Sequence, residues 1–347
     1  MFVPNIYNLA LTLSVLLAFN IFLLLGITAY LKLNNELFTK ISLIFSAMVI
    51  FESLLSFGQW LRRSTYGLSI EAVNQGLTYF KGPAQDYFSV RSLGTFSHPN
   101  ELALFSLGMS LFFLPMIFKK NNKSKLKKIY QISFIAAIST LILSLGRSAW
   151  ISFVFCFLLF LFILEKKWKR KVILVKNIRT KNVLYIIVLL AIFLIIIFPR
   201  LLKMTDLFKP EGGGETRIKL INEVINVIGV RPFFGTGTGL SGYFMFKFNP
   251  KGIVSTFPTT VHNLYLKIAS ESGIPALMFF LLVILFWFRN IFFKFKKLQI
   301  KDKIKLLSAI LPMLGYLLNG IMQQIFLFSF FIIYLMLGSI DYANKKD

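Results

Sequence analysis

Apolar residues along this chain gather into runs of about twenty separated by short polar stretches, without the alternation of a strand. A run of that length crosses the roughly 30 Å hydrocarbon core of a bilayer as a helix. The runs at 5–30, 37–60, 98–118, 182–199 and 262–288 each read as one span. The stretch 129–164 is too long for one helix and is expected to turn near 145–147. The stretch 306–340 is expected to turn near 320–323 in the same way. The pattern predicts an all-α polytopic integral membrane protein with about nine transmembrane helices.

Two polar stretches are longer than simple connections, 61–97 and 200–261. The second has internal structure. Lys209-Pro210-Glu211-Gly212-Gly213-Gly214-Glu215 reads as a flexible linker. Thr216 is placed to cap a helix running to Ile228, with Leu220, Ile221, Val224, Ile225 and Ile228 on one face. Such a helix would lie on the membrane surface or over the bundle. Gly229 is expected to end it, and Arg231-Pro232 opens a loop through Gly235-Thr236-Gly237-Thr238-Gly239. The organisation expected is spans one and two over 1–60, a polar segment at 61–97, and spans three to six over 98–199. A large loop with short helices follows at 200–261, then spans seven to nine and a short tail over 262–347.

Composition agrees with a membrane protein: 56% of the 347 residues are hydrophobic, 15% are charged, and the mean hydropathy is +0.71. A formal charge of +25 on a soluble protein would point to nucleic acid, but here 25 of the 39 basic residues lie in alternate, mostly short loops and the tail. That is the positive-inside pattern, so these loops are expected to be cytoplasmic and no nucleic-acid partner is implied. The N-terminus and the segments 61–97 and 200–261 are then external, and the C-terminus is cytoplasmic. The first run lacks a basic leader and is too long for a signal peptide, so it reads as a span. Cys156, the single cysteine, lies within an apolar run, which excludes a disulfide framework and a cysteine-rich metal site. The spacing of His, Cys and acidic residues suggests no metal, and no cofactor is expected. The glycine run at 235–239 lacks the Gly-Lys-Ser/Thr of a nucleotide loop.

The candidate chemistry collects on the presumed external side. Both histidines, His98 and His262, fall at the mouth of an expected span. Each is placed either to cap a helix at the interface or to act as a general base, since imidazole titrates near neutrality. Arg147 stands between two apolar runs with almost no loop. It either extends to the interface or clamps an anion, because guanidinium binds phosphate bidentately. Arg91, Arg217 and Arg231 lie on the same side, against the topological bias of basic residues. Glu52, Glu101 and Glu271 fall within spans, as buried partners for arginine or as proton-handling groups.

Four pieces, in order, carry a resemblance to a family. They are Arg91-Ser92-Leu93-Gly94-Thr95-Phe96-Ser97-His98-Pro99-Asn100, and Leu145-Gly146-Arg147-Ser148-Ala149. Then come Glu215-Thr216-Arg217 with Arg231-Pro232-Phe233-Phe234-Gly235-Thr236-Gly237, and finally His262-Asn263 followed by Gly273. In this order and topology the chain resembles the O-antigen ligase and O-antigen polymerase superfamily of bacterial envelope glycosyltransferases. The resemblance covers roughly residues 50–300 and implies a GT-C-like helical fold in the cytoplasmic membrane. It also implies transfer of a glycan from an undecaprenyl-pyrophosphate carrier to an acceptor hydroxyl, outside the cell and without metal or nucleotide sugar. By resemblance, Arg147 and Arg217 hold the pyrophosphate and His262 assists deprotonation of a glycan, lipid or protein acceptor. Arg91, His98, Asn100, Arg231, Asn263 and Glu271 are secondary candidates. Ala276 departs from the Gly, Thr or Tyr of the ligase pattern, and about nine spans against the family's usual twelve imply that three leading spans are absent. The other function classes are a glycan-lipid transporter or flippase and a non-catalytic subunit of a glycan assembly complex. The chain shows no inverted repeat of the transporter kind.

Overall fold

The structure, a computed structural model, describes residues 37–67, 90–118, 125–168, 213–256, 260–298 and 300–323, with 333, 334 and 337. Among these residues the regular structure is helical, with no strand. The expected spans at 5–30 and 182–199, and most of the last one, lie outside the described residues. The chain forms two compact units: Ile41–Phe208, and Met1–Lys40 together with Lys209–Asp347.

The unit Ile41–Phe208 contains nearly all of α1 (Leu37–Arg62), with α2 (Pro99–Ile117), α3 (Lys125–Leu143) and α4 (Arg147–Trp168). Helix α1 buries a polar stripe beside Phe45, Val49 and Leu55 and turns other apolar residues outward. Ser42, Ser46, Glu52, Ser56 and Gln59 are buried, while Leu43, Ile44, Phe51, Leu54, Phe57 and Leu61 face outward. In water that arrangement would be unstable. In lipid it is expected, because the apolar face meets acyl chains and the polar face finds partners in the protein. Helix α2 is the centre of the unit, and 83% of its apolar window is buried. The edge-to-face pair Phe45–Phe112, 5.1 Å between centroids, packs α1 on α2. Helix α3 packs along α2, and its buried residues Ser133, Ala136, Ala137 and Thr140 are small enough to let two backbones approach. The break between α3 and α4 falls at 144–146, as the sequence predicts.

The other unit contains α5 (Gly213–Val230), α6 (Ser241–Phe248), α7 (Ile253–Thr256), α8 (Leu264–Ser272), α9 (Ile274–Lys297) and α10 (Ile300–Gly320). Leu220, Val224, Val227, Met245, Val254 and Val261 form a core that binds α5, α6, α7 and the approach to α8. This core corrects the expected helix in the 200–261 segment. Helix α5 starts at Gly213, so Thr216 lies in its first turn and does not cap it, and the helix passes Gly229 to end at Val230. Its inward stripe is Leu220, Val224 and Val227, whereas Ile225, expected inward, is exposed. Burial of the stripe and the Glu215–Lys219 ion pair at 2.7 Å outweigh the weak helix preference of two leading glycines.

The expected single span at 262–288 is two helices. Gly273, at φ +91°, ends α8, and a membrane-length helix starts only at Ile274. The basic stretch 289–305, expected as a loop, is largely helical: α9 continues to Lys297 and α10 starts at Ile300. Among the described residues, four helices are long and apolar enough to cross a membrane: Phe38–Arg62, Pro99–Ile117, Lys125–Leu143 and Ile274–Lys296. Only 17% of the α9 window is buried, so its many apolar side chains require lipid around them. The apolar helices mark a multi-pass membrane protein.

Candidate active site

His262 is placed by its neighbours on both sides. Val261 is fully buried in the α5–α7 core, and Asn263 caps α8. The Asn263 Oδ1 accepts from the Leu266 N–H at 3.0 Å, and its Nδ2 donates to the Ile321 carbonyl at 3.0 Å. Two residues on, the Tyr265 hydroxyl donates to the Leu317 carbonyl at 2.8 Å. The histidine segment is thus moored to the C-terminal end of α10. The His262 side chain is half-buried, and its Nδ1 has no hydrogen-bond partner among the described residues. Burial pushes its pKa below the ordinary imidazole value, and the positive charge of Arg217 pushes it the same way. Arg217 stands one turn ahead of Leu220 on the same face of α5, which explains its approach to His262. The result is a neutral imidazole beside a permanent cation.

The loop after α5 is fastened to the far end of α8. The Arg231 guanidinium lies 4.7 Å over the Phe244 ring. Ile274 N–H donates to the Pro232 carbonyl at 2.7 Å, Thr236 N–H to Ser270 at 2.9 Å, and Gly237 N–H to Glu271 at 2.9 Å. The Ser241 hydroxyl donates to the Glu271 carboxylate at 3.0 Å, both residues being buried. A Cβ at Gly235 would collide with the backbone of Glu271, and one at Gly273 with the backbone of Phe233. Glycine is needed here for close backbone approach between two loops.

The Ile41–Phe208 unit holds the remaining candidates. Arg91 Nε donates to the Ser144 carbonyl at 3.1 Å, and its Nη2 to Asn100 Oδ1 at 2.6 Å. With Ser92 N–H on the Leu143 carbonyl and Trp150 Nε1 on Leu141, these bonds satisfy carbonyls that the end of α3 leaves open. His98 is the N-cap of α2, its Nδ1 accepting from the Asn100 N–H at 2.9 Å. Leu145 takes the left-handed conformation at φ +52°, and Gly146 follows because a Cβ there would strike Ala103. Arg147 then opens α4, half-buried, and among the described residues nothing accepts a hydrogen bond from its guanidinium. The expected pairing of spanning acids with arginine is not found among the described residues. Glu52 accepts from the Thr95 hydroxyl and N–H, Glu101 from Ser97, and Glu271 from Ser241. Small hydroxyl and amide donors lie within reach of these carboxylates without a long charged chain having to be ordered.

The structure therefore brings Arg91 and His98 to Asn100 and Glu271 to Ser241, and puts His262 within electrostatic reach of Arg217. Sequence reasoning misses Gln59, whose Oε1 accepts from Leu93 and Gly94 N–H while its Nε2 donates to the Gly94 carbonyl. It also misses Tyr265 and Ser241, since nothing in their local sequence points to partners 52 and 30 residues away.

The unit that holds His262 is thus a compact helical layer fastened to a membrane-length helix, and comparison with known proteins shows what the chain is similar to. Residues 132–281 match the family described as O-Antigen ligase, a stretch that contains Arg147, Arg217 and His262. The chain resembles the O-antigen ligase superfamily by that match as well as by its ordered motifs. Among curated proteins it is similar to the ComP-specific O-oligosaccharyltransferase of Acinetobacter baylyi, 24% identical over 251 residues. The alignment covers 72% of this chain and 42% of that relative, so the chain spans less than half the relative's length.

Proposed function

We propose that this chain transfers a glycan from an undecaprenyl-pyrophosphate donor to an acceptor hydroxyl at the outer face of the cytoplasmic membrane. The observation that carries the reading is the His262 Nδ1, buried, unpartnered among the described residues, and held in its neutral, proton-accepting form beside Arg217. The acceptor oxygen attacks the anomeric carbon of the donor sugar, and the bond from that carbon to the pyrophosphate oxygen breaks. The acceptor proton passes to His262, and the electron pair leaves with the carrier pyrophosphate. Arg217 stabilises the charge that grows on that leaving group. Arg147, whose guanidinium has no partner among the described residues of its own unit, is proposed as a phosphate ligand on the strength of the resemblance. The family match and the glycan-transferring relative support the reaction class. No metal enters the step, and the reading predicts that turnover persists in a chelator.

The test uses full-length protein reconstituted in lipid with a lipid-linked oligosaccharide. The donor should be consumed by the parent protein, while His262→Ala and Arg217→Ala, checked for folding, should each lose consumption by at least roughly 100-fold, the scale of losing a general base or a charge-stabilising donor. Unchanged turnover in both variants removes the assignment. A carrier recovered intact on the opposite leaflet would instead indicate a transporter. A ladder of lengthened lipid-linked products marks a polymerase, and a single glycan on a different acceptor marks a ligase.

A further inference from the structure

Phe233 and Phe234 are left over from every interaction described above. They are 71% and 91% exposed, side by side, in a loop whose backbone is otherwise tightly bonded. Two exposed phenylalanines on a well-ordered turn are costly in water, so their surroundings are the question. The loop's position answers it. Pro232 accepts the N–H of Ile274, the first residue of α9, and the Phe233 carbonyl sits against Gly273. The turn is therefore level with the start of a membrane-length helix, at the end opposite the basic residues Arg289, Lys294, Lys296 and Lys297. The first turns of that helix are themselves open, with Ile274, Met278 and Phe279 exposed at 41%, 58% and 70%. Val230, 61% exposed, adds to the apolar surface on the other side of the turn. At the depth of a span's first turn, the surroundings are lipid headgroups and upper acyl chains, where aromatic side chains are favoured.

We propose that the Phe233–Phe234 turn is a membrane-interface wedge, seated in the leaflet at the N-terminal end of α9, with lipid as its partner. The apolar surface of the turn continues that of α9, whose low burial already requires lipid. Hydrogen bonds at 232, 236 and 237 fix the turn to α8 and α9, so the wedge holds the helix that follows His262 at a set depth. The proposal rests on α9 spanning the membrane and is independent of the transferase reading.

The full chain offers a direct test because Cys156 is its single cysteine and is buried. In a Cys156→Ser background, Phe234→Cys is spin-labelled in nanodiscs of phosphatidylethanolamine and phosphatidylglycerol. Lys251→Cys, at an exposed turn between α6 and α7, is the water reference. The label at 234 should collide with oxygen several-fold more, and with a water-soluble nickel chelate several-fold less, than the label at 251. Nickel access equal to that at 251 places the turn in water and overturns the proposal. Exclusion of both oxygen and nickel overturns it too, and points to a protein contact. Position 234 is almost fully exposed, so the substitution removes no packing, and size-exclusion of the labelled protein verifies the fold. A failed transferase assay with a lipid-seated label would leave this proposal standing.

Discussion

His262 is kept neutral by two effects acting in one direction, loss of hydration and the charge of Arg217. Each disfavours the imidazolium, so the proton-accepting form persists to lower pH than in water. The sign of the electrostatic part is testable without turnover. The chain has only two histidines, so labelled-histidine NMR reads each titration, with a His262→Asn sample for assignment. Arg217→Gln should raise the His262 pKa toward the ordinary value, and Arg217→Lys should leave it depressed. A titration that stays put in Arg217→Gln would show that the two groups do not interact. Both histidines were legible as candidates because polar residues at the edge of an apolar run stand out. The partners that separate their roles were not: His98 Nδ1 is occupied by the Asn100 N–H, whereas His262 Nδ1 is not occupied by any described residue.

At the scale of elements, the α8–α9 break decides where the histidine sits. Hydropathy sees one apolar run through 262–288, because it sums side-chain transfer and is blind to backbone conformation. Gly273 at φ +91° turns that run into a short helix and a membrane-length one, and the loop at 232–237 bonds across the break. Gly273→Ala should therefore lower the thermal midpoint. The positive-φ extended backbone at Gly273, open essentially to glycine alone, costs a residue with a Cβ roughly 1–3 kcal/mol, and the collision with Phe233 adds to it. Gly229→Ala is the matched control, since it is helical with open space around it and should raise stability by up to about 1 kcal/mol. Equal effects of the two substitutions, read by thermal unfolding in detergent, would remove this account of the break. Helix α5 makes a related point: its periodic apolar residues were visible, but the choice of Val227 over Ile225 as the inward residue depended on what α6 and α7 present to it.

At the scale of the whole molecule, the charge distribution makes a prediction about sidedness. Basic residues crowd 119–128, 165–181 and 289–305, so these stretches are expected in the cytoplasm and the 200–261 segment outside. In a Cys156→Ser background, a membrane-impermeant maleimide should label Lys251→Cys in intact cells and Lys303→Cys only after permeabilisation. The reverse pattern would invert the proposed topology and put His262 on the wrong side for an external carrier.

The sequence by itself determined that this is a helical membrane protein that resembles the O-antigen ligase superfamily, roughly where its apolar helices lie, and which few charged and imidazole groups stand near their ends. Those properties follow from run length, composition and ordered motifs, all of which are local along the chain. The tertiary structure alone decided which of these groups are occupied. Arg91 and Glu271 are committed to bonds 53 and 30 residues away, the loop glycines to backbone contact, and Arg217 to the electrostatics of His262. Such commitments depend on which backbones pack together, and packing is set by burial across elements far apart in sequence.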